Sequence, residues 1–132
     1  MTTTRPTPVT SPLAPPPAGP YTSALRVGDL LFVSGHGPFG PDRQRLGTTF
    51  KEQAHVVFDN IEHLAREAGS SLEHTVRLGA FLSDLAYFDE WNQVCGQRLS
   101  EPYPTRTTVP VVLPRFDVEI DAVIWIPTPE ES

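Results

Sequence analysis

Arg106, Glu119 and Asp121 are the residues of this chain whose types and placement most directly suggest chemistry. A guanidinium is a planar fork that can hold a carboxylate through two parallel hydrogen bonds, and a carboxylate can hold a water and accept its proton. All three lie in one stretch, Pro-Tyr-Pro-Thr-Arg-Thr-Thr-Val-Pro-Val-Val-Leu-Pro-Arg-Phe-Asp-Val-Glu-Ile-Asp-Ala-Val-Ile-Trp-Ile, running from Pro102 to Ile126. Its β-branched runs at 107–113 and 118–126, separated by Pro-Arg-Phe-Asp, predict two adjoining strands joined by a turn. Arg106 heads the first, and Glu119 and Asp121 share one face of the second because side chains alternate along a strand. Taken alone, these charges describe a polar site at a sheet edge or an ordinary solvated face.

Other reactive types are poorly placed for chemistry. Lys51 is the only lysine and sits beside Glu52, so Schiff-base chemistry and lysine-anchored pyridoxal phosphate have little to build on. His55 and His63 have no third ligand at useful spacing, which argues against a metal. Cys95 falls in an apolar helical stripe and reads as a buried structural thiol, and no basic neighbour suggests a lowered pKa. No Ser or Cys is set beside a His as in a hydrolase nucleophile. Ser34-Gly35-His36-Gly37-Pro38 could form a plain turn or bring main-chain N–H groups close to a ligand.

The elements that must position these groups follow from periodicity. Residues 1–20 hold seven prolines among threonines and read as a disordered or polyproline-like arm. Residues 21–27 and 30–34 form a hairpin around Gly28-Asp29. Residues 49–68 carry one apolar stripe, capped by Thr48 or Thr49 and ended by Gly69, and predict a helix. Residues 75–82 predict a strand, and a second helix runs from Asp84 to about Leu99 with Leu85, Phe88, Trp91, Val94, Cys95 and Leu99 on one side. About five strands with two helices on one face make an α+β domain at 21–127, followed by a tail at 128–132. The last strands are apolar on both sides, so the face away from the helices is expected to pack against another copy.

A chain of 132 residues can bury a sizeable core as one domain. A net charge of −6 with scattered basic residues argues against nucleic-acid and anionic-membrane partners. One cysteine, no long apolar run and no signal-like N-terminus point to the cytoplasm.

Several motifs, in order, resemble the RidA family, also called YjgF, UK114 or L-PSP. They are Gly-Pro-Tyr-Thr-Ser-Ala at 19–24, Val-Gly-Asp-Leu-Leu-Phe-Val-Ser-Gly at 27–35, Asn60-Ile61, Leu72-Glu73-His74-Thr75-Val76, Phe81-Leu82-Ser83-Asp84, Phe88, Asn92, Tyr103-Pro104-Thr105-Arg106-Thr107 and Val118-Glu119-Ile120-Asp121-Ala122. The resemblance implies a chorismate-mutase-like subunit with a five- to six-stranded sheet, assembled as a trimeric barrel with active sites in the clefts between subunits. It implies cofactor-independent hydrolysis of 2-imino acids and enamines, such as 2-iminopropionate and 2-aminoacrylate, to 2-oxo acids and ammonia. By position, Arg106 is expected to anchor the substrate carboxylate and Glu119 to hold the water. The resemblance also implies that Tyr21 and Ser34 complete the catalytic set and that Gly35 and Thr108 contact the ligand through their backbones.

The chain departs from the family pattern at His36, where many relatives carry glutamine, which puts a titratable imidazole near the cleft or leaves an ordinary surface histidine. Thr105, Thr108 and Pro110 also differ, which alters the pocket wall. The alternatives are a dedicated biosynthetic enzyme acting on another imine or labile carboxylate, and a non-catalytic module that binds a 2-oxo acid. The endoribonuclease role attached to the family name fits the acidic balance least.

Overall fold

Along the last strand, Val118, Ile120, Ala122 and Ile124 are buried, while Glu119, Asp121, Val123 and Trp125 between them are half-buried. That two-residue period defines two sheet faces, and it organises the computed structural model, which describes residues 5–131. The elements in order are β1 (Thr7–Val9), β2 (Ala24–Val27), β3 (Leu30–His36), α1 (Phe50–Glu67), β4 (Thr75–Leu82), α2 (Phe88–Arg98), β5 (Thr105–Pro110) and β6 (Val118–Trp125). They form one α+β unit whose six-stranded sheet has the order β1-β2-β3-β6-β4-β5. Every neighbouring pair is antiparallel except β4 and β5, which are parallel.

The helices cover the face that carries Leu31, Val33, Leu78, Ala80, Ile120 and Ala122. Helix α1 starts in a capping box: the Thr49 hydroxyl accepts from the Glu52 N–H and the Glu52 carboxylate accepts from the Thr49 N–H. Those bonds and others from Thr48 hold the Glu52 carboxyl down at about 2. Phe50, Ala54, Val57, Phe58, Ile61, Leu64 and Ala65 then recur at three- and four-residue steps and are buried. Each larger one contributes roughly 1.5–3 kcal/mol by leaving water. In α2, Trp91, Val94 and Cys95 are buried, but Leu85 and Phe88, expected on the same stripe, are exposed, because the turn at Leu85–Tyr87 is 3-10 and shifts their phase.

Two expectations are corrected. The strands bearing Arg106 and Glu119 do not adjoin: β4 lies between them, and the turn after β5 carries the chain across to β6 on the far side of β4. Within the described residues the proline-rich arm is not a loose tail, since Thr7–Val9 adds a strand to β2 and Ala14 is buried in the core, and residues 1–4 of that arm lie outside the described residues. Pro8 is tolerated there because β1 is the sheet edge, where a missing N–H donor costs least.

Candidate functional site

Strand register decides how the predicted groups meet. Arg106 pairs with Leu78 on β4, which pairs with Ala122, whereas Glu119 pairs with Phe81. Leu78 and Ala122 belong to the helix-covered face, and Glu119 alternates with them onto the opposite face. Two strands and three residues therefore separate Arg106 from Glu119, roughly 14 Å between backbones at ordinary strand spacings, with the sheet between the side chains.

Arg106 sits in a cleft of about 320 Å³ with Asn92, Cys95, Leu99 and Tyr103. Its guanidinium lies 5.5 Å from the Phe88 ring centre and 5.8 Å from that of Trp91, and it donates to Cys95 Sγ at 3.7 Å. Among the described residues it has no carboxylate partner. Thr108, on the same face, accepts a hydrogen bond from Trp91 Nε1 at 3.2 Å, so its side chain steadies the indole beneath Arg106. Cys95 does have a basic neighbour in space, yet burial outweighs it and pushes the thiol up to about 11.

Glu119 lies at the other end of the site. The pairing of β3 with β6 slips between Val33 and His36, and this bulge lays the Gly35 backbone against the Glu119 carboxylate. A Cβ on Gly35 would fall 2.8 Å from Glu119 Oε2, so the close approach needs glycine. No donor among the described residues bonds this carboxylate. Burial, and then the charge of Asp121, push its pKa above the usual glutamate value. Asp121 is itself paired with Arg77 at 3.3 Å.

Tyr21, Gly35 and Glu119 line one cavity of about 270 Å³. Tyr21 and Ser34 also border a broader cleft over the open face with Phe32, Arg77 and Asp121. The Tyr21 hydroxyl oxygen accepts from the Ala18 N–H at 2.9 Å. The Ser34 hydroxyl already donates to the Thr22 carbonyl at 2.6 Å, leaving its oxygen only as an acceptor. His36 borders the 270 Å³ cavity but is 5% exposed, and its Nε2 is sealed without a partner among the described residues. Burial lowers its pKa against an opposing hydrogen bond to the Ser23 backbone, which favours the neutral imidazole.

One chain thus gathers Tyr21, Ser34, Gly35, His36 and Glu119 at one end and Arg106 with Thr108 at another. Sequence reasoning missed much of the rest of the Glu119 cavity, including Pro15, Pro16, Pro17, Phe39, Arg43 and Phe116. They come from the arm, a polar loop and a connection, segments without a period to betray them.

A family model described as Endoribonuclease L-PSP matches residues 11–126. The RutC family protein y4sK of Sinorhizobium fredii is 41% identical over 120 residues, 89% of this chain and 95% of that protein. The crystal structure of RidA from an Antarctic Psychrobacter shares 38% identity with a TM-score of 0.85, covering 91% of this chain and 99% of that one. That of E. coli TdcF with bound serine shares 28% identity with a TM-score of 0.82, covering 90% and 98%.

Proposed function

This chain belongs to the Endoribonuclease L-PSP family, with RidA among its similar structures, and from that premise we propose that it hydrolyses 2-imino acids and their enamine tautomers to 2-oxo acids and ammonia. The observation that carries the reading is the Arg106 guanidinium, held over two aromatic rings at a cleft mouth with no carboxylate partner among the described residues. Such a fork takes a substrate carboxylate bidentately and fixes the adjacent C=N carbon. Water held by Glu119 adds to that carbon as Glu119 takes its proton. Glu119 returns that proton to the nitrogen of the amino alcohol, and as the C–N bond breaks the hydroxyl gives up its proton to Glu119 and becomes the C=O of the 2-oxo acid, with ammonia leaving. The serine bound to TdcF carries the same carboxylate beside a nitrogen-bearing carbon, which supports this substrate class.

Because Arg106 and Glu119 occupy opposite faces, the reading includes a site shared between copies, in a homotrimer packed through the open face. Phe32, 45% exposed beside Leu25 and Val123, supplies apolar surface for that contact. The test follows 2-iminopropionate generated in solution. Wild-type chain accelerates its decay, whereas Arg106→Ala and Glu119→Gln each abolish the acceleration. Unfolded together and refolded as mixed oligomers, the two inactive variants recover up to about a quarter of wild-type activity, since a random assembly pairs one intact Arg106 with one intact Glu119 at that frequency. No acceleration by wild type sinks the hydrolase reading, and no recovery on mixing sinks the shared site. RNA cleavage lost in Arg106→Ala, with imines untouched, would move the function to the activity in the family's description, against which the net charge of −6 stands.

A further inference from the structure

One wall of the Glu119 cavity has no part in the chemistry above. Pro15, Pro16, Pro17 and Ala18 form it, facing Phe39 and Phe116, whose rings pack edge to face at 5.3 Å. Three successive prolines fix the backbone φ, so this wall is stiff without hydrogen bonds of its own. Its position is set by contacts on either side. Ala14 is buried in the core, Arg43 Nη1 donates to the Pro16 carbonyl, and the Ala18 N–H donates to the Tyr21 hydroxyl. That last bond occupies the Tyr21 oxygen and leaves the phenolic proton free to point into the cavity.

Arg43 also holds an uncommon backbone conformation. Its φ is 64°, a left-handed value that a side-chain-bearing residue adopts at a cost. Glycine would sit there without strain. An arginine at such a position, reaching across 27 residues to hold a proline carbonyl, marks the contact as worth its strain.

Resting on the hydrolase reading, we propose that the wall formed by residues 15–18 and clamped by Arg43 is the specificity element of the site, confining the substrate's side chain to a compact apolar group. Arg43 acts as a positioning residue: it sets where the proline wall stands. A substrate with its reacting carbon at Glu119 directs its side chain between the prolines and the two phenylalanines, in a space of about 270 Å³.

The experiment measures kcat and KM on the full chain for imines made in solution from alanine, leucine and tryptophan by an amino-acid oxidase. Wild type is expected to favour the alanine and leucine imines over the tryptophan imine. Arg43→Gly removes the clamp while relieving the backbone, so its melting temperature holds or rises. Its preference for the small imines nevertheless falls about tenfold, the size of discrimination an apolar pocket wall supplies, with the loss in KM rather than kcat. Arg43→Lys, whose ammonium can still donate to the Pro16 carbonyl, restores much of the preference. An unchanged preference in Arg43→Gly overturns the proposal, as does equal use of all three imines by wild type. A wild-type chain inactive on every imine fails the hydrolase reading itself and this proposal with it, whereas activity without size preference fails this proposal alone.

Discussion

The Arg106 cleft and the Glu119 cavity are made by the same sheet in different ways. Arg106 is placed by core packing: its guanidinium rests against Trp91, which is fully buried, stacked on Phe58, and tied to Thr108. Glu119 is placed by irregularities: a bulge, a glycine that lets the carboxylate lie on the backbone, and an arm folded back over it. A group that must offer one fixed geometry to a carboxylate gains from rigid aromatic support. A group that must hold a water and exchange a proton gains from a semi-enclosed setting that moves its pKa. The two halves lie on opposite faces of the sheet, so one chain does not bring them together.

The largest effects come from removing the half-sites' own chemistry. Glu119→Gln keeps shape and hydrogen-bonding size but cannot take a proton, so kcat should fall about 10²–10⁴-fold in a steady-state imine assay. Arg106→Lys keeps the charge but loses the fork, so its defect should lie mostly in KM and be milder than that of Arg106→Ala. If Arg106→Lys matched wild type, bidentate gripping would be the wrong description of the cleft.

Phe32→Glu probes the joining of the two halves. It puts a charge on the open face, in the cleft that Tyr21 and Ser34 border but not in contact with Arg106 or Glu119, so a shared site predicts loss of the oligomer by light scattering and parallel loss of activity. An active monomer would break the comparison, since both halves would then work within one chain.

Trp91 tests the Arg106 half alone. Trp91→Ala leaves a large hole under Arg106 and should cost about 3–5 kcal/mol in denaturant unfolding. Trp91→Phe keeps most of the packing but strands the Thr108 hydroxyl, for about 1 kcal/mol and a modest rise in KM. A change in the pH profile of either variant would contradict the separation, because neither residue touches Glu119.

The sequence carried the elements better than their arrangement. The strand at residues 75–82 coincides with Thr75–Leu82, and the helix expected at 49–68 spans Phe50–Glu67, because long runs with one period and clear caps leave few alternatives. Pro-Arg-Phe-Asp between two β-branched runs signals a turn, but a turn does not name the neighbour of the next strand, and β4 took the place between β5 and β6. Thr7–Val9 was hidden because an edge strand containing proline looks like a linker until its partner β2 is known. Arg106 and Glu119 could be picked out by type and by resemblance to relatives. Their opposite faces could not, since alternation gives parity within a strand and only pairing carries it across the sheet.

The smallest expected effect bears on the Glu119 half. Glu119 titrates above the ordinary glutamate value first because it is half-buried and second because Asp121 carries a like charge on the same face. A base that must be ionised makes the rate fall as pH drops through that raised pKa. The sign for stability is opposite: the fold tolerates protonated Glu119 better, so its contribution is present at low pH and lost as pH rises through the raised value. Asp121→Asn removes the second cause and leaves the first, so the acid limb of kcat should move to lower pH by less than about one unit. Arg77, 3.3 Å from Asp121, loses that carboxylate partner in the variant. The amide keeps the shape that lies over Gly79, so the backbone has no reason to shift. An acid limb that stays fixed in Asp121→Asn would assign it to a group other than Glu119. A shift to higher pH would mean that the like charge of Asp121 is not what raises Glu119.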